Sequence, residues 1–386
     1  MANSEYDIRI VLTGGGSGGH IYPLLAVLQE IREQLKERSA SAEFVYLGPK
    51  DSYSAVLQSA DVKFRAIAGP KLRRYASFQN LLDIPKFFIA LFQAWWLLLL
   101  LMPDAVFSKG GPGALPVVIL AWFYRIPVVV HESDIMPGLT NLLSRPFAAR
   151  VCVAFEQAAP YFGKKGVVTG NPIRTALRAP QVSKETGKKE LGFSPTEPLI
   201  VVLGGSQGSQ RINEFIALNL KALIGITQVL HQCGMANHSY MEKLTRAALA
   251  ESSAVTKATR YRLVPYLEDR ELSLALAAAD VIVARSGSGT IAEVALYGKP
   301  TILIPLTESA NDHQRANAYE FAKKGAVIVI EETNLQFGIF AGQLKTILQS
   351  AELADRTGTA MKQLAHPDAA RAVATEVLKF ALSDIS

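Results

Sequence analysis

Two apolar, β-branched runs each end in a glycine-rich turn that opens a helix: IRIVL before TGGGSGGHIYP at 8–23, and LIVVL before GGSQGSQRIN at 199–213. A strand that passes through small residues directly into a helix is the opening unit of a parallel sheet, because a crossover must carry the chain back before the next parallel strand can start. The first run is followed by others at 43–47, 104–107, 127–130 and 151–153, with helical stretches such as 22–37 between them. The second is followed by runs near 227–231, 281–284 and 301–304. The pattern predicts an α/β protein of two Rossmann-like units, each a parallel sheet with helices on both faces and ligands outside the carboxyl ends of its strands. A length of 386 residues suits about two domains. The polar stretch QVSKETGKKELGFSPTEP is expected to form a helix and loop outside the first core.

Composition narrows the partners. Two cysteines, Cys152 and Cys233, and no CxxC fit a reducing compartment. MANSEYDIR lacks the apolar region of a signal peptide, so a cytosolic protein is expected. A net charge of +6 without an RNP-like motif, zinc-finger spacing or basic recognition helix points to acidic small molecules or an anionic membrane, not to nucleic acid. KLRRY at 71–75 precedes FFIALFQAWWLLLLLM at 87–102, which is apolar around the whole helix. Its sixteen residues fall short of the ~20 needed to span a bilayer, which leaves a buried core helix or an in-plane membrane contact.

Gly14, Gly16 and Gly19 satisfy G-x-G-x-x-G, but EFVYLGPKD places Gly48 and Pro49 where a dinucleotide site needs an acid for the ribose, with Asp51 beyond them. An NAD-dependent oxidoreductase is thereby weakened, and no G-K-[ST] supports a P-loop. His20 falls in the first turn of the following helix, where the helix dipole favours a neutral imidazole able to accept a proton; it serves either as a base or as a packing residue. RSGSGTIAE at 285–293 offers backbone amides to a diphosphate and Glu293 to ribose hydroxyls, or is a simple capped helix. NDHQRAN at 311–317 suits sugar hydroxyls, or is a solvated loop.

In their order and spacing, GGGSGGHIYP, SKGGPGALP, HESDIMPGLTN, TGNPIR, GGSQGSQRIN, ARSGSGTIAE and NDHQRAN resemble the MurG family, the UDP-N-acetylglucosamine transferases of bacterial peptidoglycan synthesis. The resemblance covers about residues 8 to 325 and implies the GT-B fold, two Rossmann-like domains facing across a cleft. It implies an acceptor and membrane-binding domain at 1–174, with a helix at about 366–386 returning to it, and a UDP-GlcNAc-binding domain at 175–365. The donor residues it implies are Arg174, Ser206, Leu267, Ser288, Gly289, Thr290, Glu293 and Gln314, with Ser17, Gly18, Gly19 and Asp134 also assigned to UDP-GlcNAc. In that scheme the Leu267 backbone reads uracil, Glu293 holds the ribose, Ser206 and the 288–290 turn bind diphosphate, Gln314 binds the sugar, and Arg174 adds charge. Gly15, Gly16, Ser17, Gly18 and Gly19 would meet the diphosphate of the acceptor, with His20 at the sugar being joined.

The implied reaction is inverting transfer of N-acetylglucosamine from UDP-GlcNAc to the 4-hydroxyl of lipid I, the undecaprenyl-pyrophosphoryl MurNAc-pentapeptide, giving lipid II. It would occur peripherally on the cytoplasmic face of the cell membrane. No D-x-D occurs, so neither a metal nor another cofactor is indicated. One position departs from the family: HESD carries Asp134 where MurG proteins commonly have asparagine, which makes Asp134 a second candidate base beside His20. His131 and Glu132 match the motif and are either functional or hydrogen-bonded core residues. The rivals are a GT-B nucleotide-sugar epimerase, a catalytically silent sugar-nucleotide binder and an NAD-dependent oxidoreductase.

Overall fold

The computed structural model describes residues 7–16, 18–50, 53–70, 78–178, 182–205, 207–250, 259–309 and 312–382. The chain divides into two compact units, Met1–Ile173 with His366–Ser386, and Arg174–Ala365.

Among the described residues the first unit holds β1 (Ile8–Thr13), β2 (Ala42–Gly48), β3 (Lys63–Ala66), β4 (Ala105–Ser108), β5 (Val128–Glu132), β6 (Arg150–Val153) and β7 (Gly166–Val168). They form one parallel sheet in the order β3-β2-β1-β4-β5-β6-β7. Side chains alternate between two cores, as the pleat requires. Ile10 and Leu12 pack with the helices Gly18–Glu37 and Ala369–Ala381, while Val11 packs on the other face with the helices Phe78–Leu101 and Ala114–Phe123. Polar residues enter these buried strands at their carboxyl ends: Thr13, Ser108, His131 and Glu132 are all buried there. That edge is where the chemistry gathers.

The helix Ala369–Ala381 belongs to the first unit although it follows the second in sequence. Its Val373, Ala374, Val377, Leu378 and Ala381 lie on one face and join the core made by β1 and the helix Gly18–Glu37. Gln34 fixes its register, donating to the Arg371 carbonyl at 3.1 Å and accepting from the Thr375 hydroxyl at 3.1 Å.

The second unit repeats the winding with β8 (Leu199–Leu203), β9 (Gln228–Gln232), β10 (Tyr261–Val264), β11 (Val281–Ala284), β12 (Thr301–Leu303) and β13 (Ile328–Val329), in the order β10-β9-β8-β11-β12-β13. In each sheet the strand order reverses beside its first strand, between β1 and β4 and between β8 and β11. Chains leaving the sheet at such a point diverge to opposite faces and open a crevice for a ligand.

The apolar segment is longer than expected, and one of its two readings falls. The helix is Phe78–Leu101, 24 residues, so it is not too short to cross a bilayer by length and composition. Nor is it a buried core helix. Ala90, Ala94 and Leu98 form the fully buried stripe, while Phe88, Phe92, Trp96 and Leu100 on the opposite stripe are 50–68% exposed. Small residues face the protein and large ones face outward. Trp122 and Phe123 extend the exposed apolar surface from the end of the neighbouring helix. The basic segment Lys71–Arg74 lies outside the described residues.

Candidate active sites at two sheet edges

At the first reversal point, the chain leaves β1 through Gly14, Gly15 and Gly16 and enters the helix Gly18–Glu37, with Gly18, Gly19 and His20 as its first turn. Ser17 lies outside the described residues. No acidic residue occupies that turn, and the amides of Gly18 and Gly19 have no partner within the helix, which suits an anion. The loop leaving β4, Lys109 to Gly113, packs against the first. Gly111 adopts φ +85°, and a Cβ there would lie 2.6 Å from the Gly15 carbonyl and 3.3 Å from His20 Nε2. Glycine is therefore required for the two loops to meet.

His20 is half-buried, and burial together with the charge of Lys109 lowers its pKa to about 4, against an opposing pull from Asp134. The imidazole is neutral near pH 7 and can accept a proton. Lys109 is buried, and its Nζ donates to Ser133 Oγ, which in turn donates to Asn171 Oδ1 at 3.0 Å. Burial lowers the Lys109 ammonium to about 8, while Glu132 and Asp134 favour its charge.

Glu132 and His131 hold backbone. Glu132 Oε1 accepts from the Asp134 amide at 3.0 Å, and Oε2 accepts from the Gly138 amide and from Asn141 Nδ2, both at 2.9 Å. This carboxylate braces the loop that presents Asp134, and burial raises its pKa. His131 is buried with Nε2 3.0 Å from the Gly170 carbonyl, so Nε2 carries the proton and ties β5 to residue 170. Glu132→Ala is expected to destabilise the protein by about 1–3 kcal/mol, because three donors, among them the buried Asn141 amide, lose a buried acceptor. Thermal unfolding checks this.

At the second reversal point, β8 leads through Gly204 and Gly205 to the helix Gln210–Leu218, which Ser209 caps by accepting from the Ile212 amide at 3.4 Å. Ser206 lies outside the described residues. β11 leads through Arg285, Ser286 and Gly287 to the helix Ser288–Ala295. That helix has no side-chain cap and no acid in its first turn, so the amides of Ser288, Gly289 and Thr290 have no partner within it. Ser286 Oγ donates to the Gln314 carbonyl at 2.8 Å, and Gln314 Oε1 accepts from the Leu306 amide at 3.1 Å, which leaves Gln314 Nε2 to act as the donor. Asn311 lies outside the described residues.

Arg174 and Glu293 meet directly. Glu293 Oε1 accepts from Arg174 Nε at 2.9 Å, and Arg174 Nη1 donates to Asp269 Oδ1 at 2.8 Å and lies 3.4 Å from the Tyr266 hydroxyl. Burial opposes the guanidinium charge, but Glu293, Tyr266 and Asp269 outweigh it and hold the pKa above its usual value. Arg174 is thus an ion-pair partner within this cluster, its charge already met by two carboxylates. Beside it the Leu267 amide donates to Gln232 Oε1 at 3.3 Å, which leaves the Leu267 carbonyl as its backbone group for a ligand.

Sequence reasoning missed three charged residues at these edges. Lys109 follows β4 at the first reversal point, and its place in SKGGPG was the available signal. Arg285 donates to the Ile304 carbonyl at 3.0 Å and to Glu332, and Glu332 also accepts from Arg211. The Arg285–Glu332 pair ties the start of the 285–290 turn to the segments after β12 and β13.

Comparison with known proteins accords with this arrangement. The profile of the glycosyltransferase family 28 N-terminal domain matches residues 10–153, and that of the family 28 C-terminal domain matches residues 199–373. A relative from Clostridium tetani (strain Massachusetts / E88) is 34% identical over 347 residues, covering 89% of this chain and 91% of its own. One from Legionella pneumophila (strain Lens) is 35% identical over 357 residues, 92% of each chain. Both are named UDP-N-acetylglucosamine--N-acetylmuramyl-(pentapeptide) pyrophosphoryl-undecaprenol N-acetylglucosamine transferase. The crystal structure of Acinetobacter baumannii MurG superposes with a TM-score of 0.72 at 26% identity, covering 96% of this chain and 99% of that one. A UDP-GlcNAc 2-epimerase from Neisseria meningitidis, bound to UDP-GlcNAc, reaches a TM-score of 0.65 at 12% identity, covering 96% and 100%, a likeness of fold alone. With two Rossmann-like domains of the GT-B type and matches along nearly the whole chain, this protein belongs to glycosyltransferase family 28 and, within it, to the MurG transferases.

Proposed function

We propose that this protein is the inverting hexosyltransferase that moves N-acetylglucosamine from UDP-GlcNAc to the 4-hydroxyl of lipid I, forming lipid II. The observation that carries the reading is the match to MurG transferases over both units, with His20 in the first turn of a helix whose amides suit an anion. UDP-GlcNAc would bind the second unit. There the amides of Ser288, Gly289 and Thr290, with Ser206, would take the diphosphate, and Glu293 would take the ribose through the oxygen that Arg174 does not occupy. Gln314 Nε2 would donate to the sugar, and the Leu267 carbonyl would face the uracil N–H. The acceptor diphosphate would lie against Gly15 to Gly19. The 4-hydroxyl loses its proton to His20 as its oxygen attacks the anomeric carbon, the bond to UDP breaks, and the configuration inverts. Helix amides stabilise the leaving diphosphate. UDP release from UDP-GlcNAc tests the assignment: release is expected only when a lipid I analogue is supplied. An epimerase would turn over the donor alone.

The exposed stripe of the helix Phe78–Leu101 supports a peripheral site on an anionic membrane. Ala90, Ala94 and Leu98 stay in the protein core, so the helix would lie in the plane of the interface with its aromatic residues submerged. Salt-sensitive binding to anionic vesicles is expected, and Phe92→Asp, at a position 68% exposed, should lower it at least tenfold in sedimentation assays. Unchanged binding by that variant would remove the helix from the contact, and resistance to carbonate extraction would indicate a true span.

A further inference from the structure

Glu332 has no part in the reaction as set out above, yet its carboxylate is where three loops at the carboxyl edge of the second sheet meet. Arg211 stands in the first turn of the helix Gln210–Leu218, Arg285 opens the turn after β11, and Thr307 belongs to the segment after β12. The Glu332 side chain is 2% exposed and accepts from Arg285 on one oxygen. Its other oxygen accepts from Arg211, from the Thr307 hydroxyl and, at 3.3 Å, from the Thr307 amide. A carboxylate offers about four acceptor positions and no donor, so these partners fill it.

Two routes lead from this carboxylate to Gln314. Along the chain, Thr307 adjoins Leu306, whose amide donates to Gln314 Oε1 at 3.1 Å. Through Arg285, the next residue Ser286 donates from Oγ to the Gln314 carbonyl at 2.8 Å, and the Ser286 carbonyl accepts from Asn317 Nδ2 at 3.3 Å. Arg285 also donates to the Ile304 carbonyl at 3.0 Å, which ties the same two loops together. Both the backbone and the carboxamide of Gln314 are thus held by loops that Glu332 fixes.

We propose that Glu332 is a positioning residue for recognition of the donor sugar: by holding Thr307 and Arg285 it keeps the Leu306 amide on Gln314 Oε1, so that Gln314 presents an N–H donor, and not its oxygen, to a UDP-linked hexosamine. The inference rests on the reading of Gln314 as the sugar contact. A primary amide has a donor side and an acceptor side, and a half turn about its last bond exchanges them. With the Leu306 amide loosened, both orientations are populated. A sugar oxygen that needs a donor then meets one only part of the time. The contacts proposed for uracil and diphosphate use backbone groups and do not depend on that choice, so the loss falls on the sugar.

The test pairs amide hydrogen exchange with calorimetry on the full-length protein. Glu332→Gln keeps the shape but sets an NH2 group against donors that the carboxylate accepted. In that variant, without ligand, the Leu306 and Thr307 amides are expected to exchange about tenfold faster or more. The ratio of the dissociation constants for UDP-GlcNAc and UDP should rise about fivefold, with UDP itself changing much less. Thr307→Val, which removes one hydroxyl and leaves every charge paired, should move exchange and ratio in the same direction by less, and it carries the test if Glu332→Gln does not fold. Added to Gln314→Ala, Glu332→Gln should leave the ratio where Gln314→Ala put it, because a residue that acts through another has no effect once that other is gone. Unmoved exchange overturns the proposal. So does equal weakening of UDP and UDP-GlcNAc, or a ratio that still rises in the double variant. An unchanged ratio in Gln314→Ala alone refutes instead the reading of Gln314 on which the inference rests, while the exchange measurement, which needs no ligand, still decides whether Glu332 holds the loop.

Discussion

His20→Ala is expected to lower kcat by roughly 10²- to 10⁴-fold while leaving the affinity for UDP-GlcNAc nearly unchanged, since the imidazole stands on the first unit, proposed to bind the acceptor, and is the proposed base. The pH dependence follows from the site. A base works in its unprotonated form, and burial and Lys109 lower His20 to about 4, so activity should persist well below neutrality and fall only as pH drops through about 4. A histidine at its ordinary value would begin to fail near 6.5. Asp134→Asn should retain most activity, because the Asp134 amide, which Glu132 holds, is unaffected by the substitution. If Asp134→Asn abolishes turnover and His20→Ala only raises the acceptor KM, the assignments exchange: Asp134 is the base and His20 a diphosphate ligand.

Glu293→Ala should weaken UDP binding by about 1–3 kcal/mol, the cost of removing a charged hydrogen-bond partner. The ion pair adds a second effect. Arg174 keeps Asp269 when Glu293 is lost, so the guanidinium remains anchored and the change would report mainly the proposed ribose contact. Asp269→Ala is the comparison, and a much smaller loss is expected because Glu293 still holds Arg174. Calorimetry with UDP distinguishes them, and equal affinity in Glu293→Ala and wild type would remove Glu293 from the donor site.

The parts legible in the sequence were those whose signal is local. β8 and β11 are buried at every residue, so they read as unbroken apolar runs, and the glycine turns after β1 and β8 follow such runs directly. β3 and β13 lie at sheet edges, short and partly exposed, with no pattern to separate them from loops. The apolar helix stayed open between two readings because composition cannot say which stripe faces inward; Ala90 and Ala94, four residues apart, took the buried side. Non-local pairings were invisible for a different reason. Arg174 and Glu293 are 119 residues apart, and only the sheet topology brings them within 2.9 Å. Lys109 escaped notice because one lysine before two glycines looks like a solvated turn, and nothing in SKGGPG shows that the sheet reversal buries it.

The placement of the helix Ala369–Ala381 also bears on the order in which this chain acquires its structure. On the ribosome, residues 174–365 emerge as an uninterrupted stretch and can fold as they appear. The first unit, begun earlier, must wait. Until residue 381 is out, the face of its sheet that carries Ile10 and Leu12 lacks part of its cover, and the nascent protein exposes apolar surface for as long as the second unit takes to be made. The domain synthesised first is therefore completed last, and during that interval it is the portion of the molecule most in need of a chaperone.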